Sequence, residues 1–93
     1  MLKFRCNDCN ETQEHEDDQV NSELKFTAEH TEDKPMGPER RHDAVIPFQC
    51  TCGREIGVTF EVWEYPLGIR DHDNIEIEGG ELLEGFNPDI EFN

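Results

Sequence analysis

The sequence predicts a mostly-β fold: a small antiparallel sheet with long acidic loops, in one domain spanning residues 1–93. Three observations carry this. Apolar and polar residues alternate at period two in several short runs, the pattern of half-buried strands. No stretch sustains the 3.6-residue periodicity of a helix. Hydrophobic residues make up only 33% of the chain, so the core is thin for a domain of this length.

Leu2-Lys3-Phe4-Arg5-Cys6 alternates apolar with charged residues and reads as a first strand, ended by the turn Cys6-Asn7-Asp8-Cys9-Asn10. Residues 11–19 are acidic and nearly free of apolar side chains, which predicts a solvated loop. Residues 23–29 alternate again, with Leu24, Phe26 and Ala28 on one face. Residues 31–43 combine Pro35-Met36-Gly37-Pro38 with mixed charges, the composition of an exposed, mobile loop. Order returns over residues 44–50, where Pro47 restricts the segment to a strand end or a sheet edge, because proline has no N–H for a ladder.

The longest regular signal runs from Glu55 to Tyr65. Ile56, Val58, Phe60 and Val62 share one face, and Gly57, Thr59, Glu61, Trp63 and Tyr65 share the other. β-Branched and aromatic residues at this period define a strand, which Pro66 stops. A short strand over residues 74–78 follows and ends at Gly79-Gly80. Residues 81–93 form an acidic–hydrophobic tail, in which 81–84 are long enough for one helical turn.

The charge excludes some functions. There are 23 Asp and Glu against 8 Lys and Arg, a net charge of −15, and beyond Arg70 no cation remains. Free nucleic acid is excluded as a favoured partner, because duplex binding depends on Lys and Arg displacing counterions. Such acidity reflects a solvated surface, a basic protein partner, mimicry of a nucleic-acid backbone, or a salt-adapted host. No apolar run approaches the roughly 18 residues of a membrane span, and the start has no apolar stretch long enough for a secretory signal. A cytoplasmic location is expected, with no membrane partner.

Chemistry is concentrated in two cysteine pairs, Cys6/Cys9 and Cys50/Cys52. A disulfide within Cys50-Thr51-Cys52 would close a tiny strained ring and pin nothing, so thiolates are expected. Two turns offering two thiolates each make a tetrahedral four-sulfur site. A residue in left-handed conformation normally completes such a turn. Gly53 follows Cys52 and Asn10 follows Cys9, the two residue types most tolerant there. Arg5, Arg54 and backbone donors are placed to moderate the sulfur charge. Joining Cys9 to Cys50 closes 40 intervening residues, costing about 3 kcal/mol. Structural zinc supplies about 10–16 kcal/mol in small peptides, so the ion wins. Zinc is expected, although iron fits the same sulfur geometry.

These residues resemble the zinc-ribbon class, whose rubredoxin-like knuckles read C-x-x-C-G. Cys6-Asn7-Asp8-Cys9 has that spacing with Asn10 in place of glycine, and Cys50-Thr51-Cys52-Gly53 keeps the glycine but is one residue short. The resemblance implies a small antiparallel sheet with structural Zn2+ joining two hairpin turns. Val62-Trp63-Glu64-Tyr65-Pro66 and Gly79-Gly80-Glu81 are similar to segments of uncharacterised bacterial zinc-ribbon proteins, a likeness that implies no activity.

Four cysteines fill every position of a tetrahedral ion, leaving none for catalytic water. His42-Asp43 is an alternative ligand source only if it replaces one cysteine, and the simpler reading is a charged loop histidine. His15 and His30 read as solvated, and Asp71-His72-Asp73 lacks the partner motif that a second metal needs. No nucleophile elbow, phosphate-cradling glycine loop or triad spacing is present, so an enzyme is not expected.

Trp63 and Tyr65 lie opposite the core face of their strand. They are either an aromatic contact for a protein partner or are covered by Leu82, Leu83, Phe86, Ile90 or Phe92. The expected function is a small acidic structural-zinc protein that acts as a protein-binding accessory or regulatory module, with a basic patch on its partner. The first alternative is a nucleic-acid mimic that blocks a nucleic-acid-binding protein. A remoter one is direct nucleic-acid binding through clustered Arg40, Arg41 and Arg54.

Overall fold

The computed structural model describes residues 1–85, 88 and 90. It is mostly β, with strands β1 (Leu2–Cys6), β2 (Thr12–His15), β3 (Thr27–Lys34), β4 (Gly37–Gln49), β5 (Glu55–Glu64), β6 (Arg70–Glu78) and β7 (Gly80–Glu84). One short helix, α1 (Asp17–Glu23), interrupts them. The single small sheet expected from the sequence is in fact two antiparallel sheets, one ordered β2-β1-β7 and the other β3-β4-β5-β6.

Period-two alternation builds the core. In β1, Leu2, Phe4 and Cys6 are buried while Lys3 and Arg5 are half-buried. In β5, Ile56, Val58, Phe60, Val62 and then Glu64 are buried in strict alternation. Ile46 of β4, Cys50 just after that strand and Val20 of α1 complete a cluster against which Phe48, Ile75, Ile77 and Leu82 pack. One face of each sheet thus closes the core, and one face of the larger sheet is left outside it. Burying a large aliphatic or aromatic side chain contributes about 1.5–3 kcal/mol, so these few residues supply most of the apolar stabilisation.

Residues 31–43 are not a mobile loop. They lie in the β3–β4 hairpin, whose register runs from Thr27 opposite Asp43 to Lys34 opposite Gly37, with Pro35-Met36 at the tip. Polar cross-strand contacts hold it: Lys34 Nζ donates to Glu39 at 2.7 Å, Thr31 to Glu39 at 2.8 Å, and Arg41 to Glu29 at 2.8 Å. Such pairs stabilise a ladder without any apolar periodicity. Residues 11–19 are likewise not a loop, since they contain β2 and the start of α1. The alternation over residues 23–29 divides between the end of α1, a connector whose Leu24 and Phe26 pack on the core, and the start of β3. Residues 81–84 are strand, not a helical turn, because β7 pairs with β1.

Pro47 sits where the sequence placed it. β3 pairs with β4 only as far as Asp43, so from Ala44 onward β4 has one partner, β5, and its other side is an edge. Gly79 and Gly80 carry the chain from one sheet to the other. Gly79 has φ +89, and a Cβ on Gly80 would lie 2.7 Å from the Arg5 carbonyl oxygen. The close approach of β7 to β1 therefore requires glycine at position 80. Of the tail, Pro88 is buried and its carbonyl accepts from Arg70 at 3.0 Å, whereas Phe86 and Phe92 lie outside the described residues.

No described helix is long and apolar enough to cross a membrane. The molecule is elongated, with extents of 48 × 23 × 18 Å.

Candidate metal centre

The two cysteine turns come from different sheets and meet at one end of the molecule. The β1–β2 turn carries Cys6 and Cys9, and the β4–β5 turn carries Cys50 and Cys52. The first turn closes with Asn10 N–H donating to the Cys6 carbonyl at 3.0 Å, the second with Gly53 N–H donating to the Cys50 carbonyl at 2.9 Å. Asn10 (φ 61) and Gly53 (φ 94) both adopt the left-handed conformation expected of a knuckle. Asn7 N–H donates to the Gly79 carbonyl at 3.1 Å, so the sheet-switching glycines also position the first turn.

All four sulfurs lie within 4.8 Å of one another. Cys6 Sγ is 3.7 Å from Cys52 Sγ, and Cys9 Sγ is 3.3 Å from Cys50 Sγ. A tetrahedral ion with metal–sulfur bonds of about 2.3 Å has sulfur–sulfur edges of about 3.8 Å, so the four donors fit a single metal ion. Cys6 and Cys50 are buried, while Cys9 and Cys52 face solvent.

The electrostatics show what the cluster lacks as thiols alone. Cys6 is pulled down to about 7, chiefly by N–H groups of Cys9 and Asp8 donating to its sulfur. Around Cys9 the Glu11 N–H acts in the same direction, but the Cys50 thiol, burial and the other sulfurs outweigh it and push Cys9 well up. Cys52 is also raised, because Cys50, burial and Cys6 overcome the donation from the Arg54 N–H. The backbone is arranged to receive thiolates, yet sulfurs this close resist sharing negative charge. A divalent cation at the centre would remove that conflict.

Two contacts tie the turns together from outside. Arg54 Nη1 lies 3.1 Å from a carboxylate oxygen of Asp8, and the Thr51 hydroxyl donates to Glu11. The sequence placed Arg5 beside the sulfurs, but its guanidinium pairs with Glu81 instead, since β7 lies alongside β1. The Asp8–Arg54 pair was hidden in the sequence because 46 positions separate its members.

The other candidate residues lie elsewhere. His42 is not a loop histidine and does not replace a cysteine; on β4, its Nε2 is 2.8 Å from Glu64, a buried carboxylate that also accepts from the Gly68 N–H at 2.6 Å. His15 is not a solvated loop residue: half-buried on β2, it stacks with Phe4 at 5.7 Å and meets Phe48 in a tilted contact at 4.4 Å between ring centroids. His30 is exposed beside Asp33. His72 is 2.8 Å from Asp71 and stacks on Trp63 at 4.3 Å, and Asp73 is paired with Arg70.

Trp63 and Tyr65 are both half-buried. Trp63 is covered by His72, while Tyr65 accepts from the Met36 N–H at 3.0 Å and lies under the Lys34 ammonium at 4.9 Å. Tyr65 is thus engaged with the tip of the β3–β4 hairpin, and Trp63 lies on the outer sheet face between Arg41 of β4 and His72 of β6. Comparison of the chain with protein-family models, with curated proteins and with solved structures gave no match.

Proposed function

We propose that this chain is a non-catalytic, zinc-organised protein-binding module of zinc-ribbon type, working as an accessory or regulatory partner. Cys6, Cys9, Cys50 and Cys52 hold a structural Zn2+ that joins the ends of the two sheets. The observation that carries this reading is the four sulfurs gathered within 4.8 Å from two turns, each with amides directed at sulfur. All-cysteine sites favour zinc or iron over hard cations, and a thin core gains most from a closed structural ion.

The protein-binding part is supported by charge and by one open surface. With a net charge of −15 the protein repels free nucleic acid and attracts basic patches, which steers association with cationic partners. Trp63, an aromatic on the outer face of the larger sheet, is suited to anchor such a contact.

Two measurements test the proposal. Elemental analysis of untagged protein should give one zinc per chain, and no stoichiometric metal in a cooperatively melting protein would refute the first part. Affinity capture from the native host should yield one dominant protein that Trp63→Ala loses. Capture of several nucleic-acid-binding proteins, displaced by DNA and steeply salt-sensitive, would instead favour mimicry.

A further inference from the structure

The strand register places Arg41, Asp43, Val45, Pro47 and Gln49 of β4 opposite Trp63, Glu61, Thr59, Gly57 and Glu55 of β5. On the far side of β5, Glu78, Glu76, Asn74 and His72 stand opposite Gly57, Thr59, Glu61 and Trp63. These residues form the face of the larger sheet that points away from the core. Val45 at its centre is 64% exposed, unusual for a large aliphatic residue in mid-strand. Beside it, Gly57, Thr59, Glu76 and Glu78 line a shallow hollow of about 150 Å³.

Gly57 is the informative residue. Glycine inside a strand weakens it, and it normally marks a bulge, a bend, or a place where another chain approaches closely. The first two do not apply: pairing is regular on both sides of Gly57, and the only irregularity along β5 lies between Trp63 and Glu64. Its φ is not in the left-handed range, and a Cβ there would meet nothing within 4 Å. Neither backbone conformation nor internal packing requires a glycine here, which leaves room kept for something outside.

The charge around the hollow is one-sided. Glu61, Glu76 and Glu78 form no ion pair among the described residues. The cation on this face, Arg41, is already held by Glu29 and Asp43. A floor of bare backbone at Gly57, between Pro47 and Glu78 across the sheet and with carboxylates along the β6 rim, matches a side chain that is apolar along its stem and positive at its tip.

We propose that this outer face docks an extended basic segment of a partner protein, with a Lys or Arg laying its hydrocarbon stem over Gly57 and its cation at Glu76 and Glu78. This rests on the protein-binding reading above and gives it a location.

The test uses full-length, zinc-loaded protein and a fluorescein-labelled peptide alternating Lys and Thr, beside its Glu/Thr counterpart. The Lys/Thr peptide should bind and the Glu/Thr peptide should not. Gly57→Val should weaken binding by about tenfold or more by filling the hollow, with metal content and melting temperature kept or raised. Glu76→Gln combined with Glu78→Gln should weaken it by about tenfold at low salt. Equal affinity for Gly57→Val, or no binding of the Lys/Thr peptide, overturns the proposal. Capture of the same host partner by Gly57→Val as by the native chain would also overturn it, while leaving the broader protein-binding reading intact.

Discussion

Arg54 of the second cysteine turn reaches across to Asp8 of the first, with its Nη1 3.2 and 3.1 Å from the two carboxylate oxygens. The pair links the two cysteine turns, and with them the two sheets, beside the four-sulfur cluster. Arg54 is held above its ordinary value by Asp8 first, and by Cys6 and Cys52 as further negative neighbours. Both side chains are substantially exposed, so the pair is a clamp on the cluster more than a source of global stability. Arg54→Ala should cost less than about 1 kcal/mol in the zinc-loaded protein. It should, however, speed metal loss to a chelator, read as the rate of zinc release to a chromophoric dye.

If the proposed zinc organises the chain, removing it should remove the fold. Cys6 and Cys50 belong to the core cluster as well as to the sulfur set, so Cys6→Ser or Cys50→Ser damages both. Each should reduce bound zinc from one per chain to near none and abolish the cooperative thermal transition. The loss is a large part of the roughly 10–16 kcal/mol that structural zinc supplies in small peptides. Cys9→Ser and Cys52→Ser, at exposed positions, should release the metal with less direct damage to packing. Circular dichroism melts with parallel metal analysis separate the two classes.

The tip of the β3–β4 hairpin should respond to pH at both extremes. Lys34 and then Thr31 hold Glu39 below its ordinary 4.5. A carboxyl with a depressed folded-state pKa stabilises fully above the unfolded value and loses that contribution as pH falls through the folded one. Glu64 behaves in the same way: burial opposes its ionisation, but donation from His42 and the Gly68 N–H prevails and lowers it. Lys34 is raised above 10.5 by Glu39, so its contribution is whole below 10.5 and fades as pH climbs through its folded value. Hairpin order should therefore decline below pH 4.5 and above pH 10.5. Glu39→Gln should flatten the acid limb in amide exchange at Thr31 and Lys34, a local readout separate from acid release of the metal.

Two glycines should respond in opposite directions to the same substitution. Gly80→Ala puts a methyl 2.7 Å from the Arg5 carbonyl oxygen and should destabilise by about 1–3 kcal/mol, seen as a lower denaturant midpoint. Gly57→Ala meets open space and should be neutral or stabilising by up to about 1 kcal/mol. A large loss at position 57 would mean that the strand needs its glycine for the fold itself.

The sequence by itself determined the local features that depend on near neighbours. Alternation at Leu2, Phe4 and Cys6 and at Ile56, Val58, Phe60 and Val62 fixed two core strands, because side-chain direction in a strand repeats every two residues. Asn10 and Gly53 marked the left-handed ends of two sulfur-bearing turns, since few other residues adopt that backbone readily. Pro47 marked an edge because it lacks a donor.

Only the tertiary structure decided what depends on residues far apart in the chain. The hairpin over residues 31–43 is held by Lys34–Glu39, Thr31–Glu39 and Arg41–Glu29 contacts, and charged residues carry no periodicity that distinguishes a strand from a loop. The split into two sheets hinges on Gly80, whose need to be glycine is visible only once Arg5 lies against it. His15 joined Phe4 and Phe48, and Asp8 met Arg54, through pairings that no local window contains. Composition and spacing told which groups were available, and packing decided which of them meet.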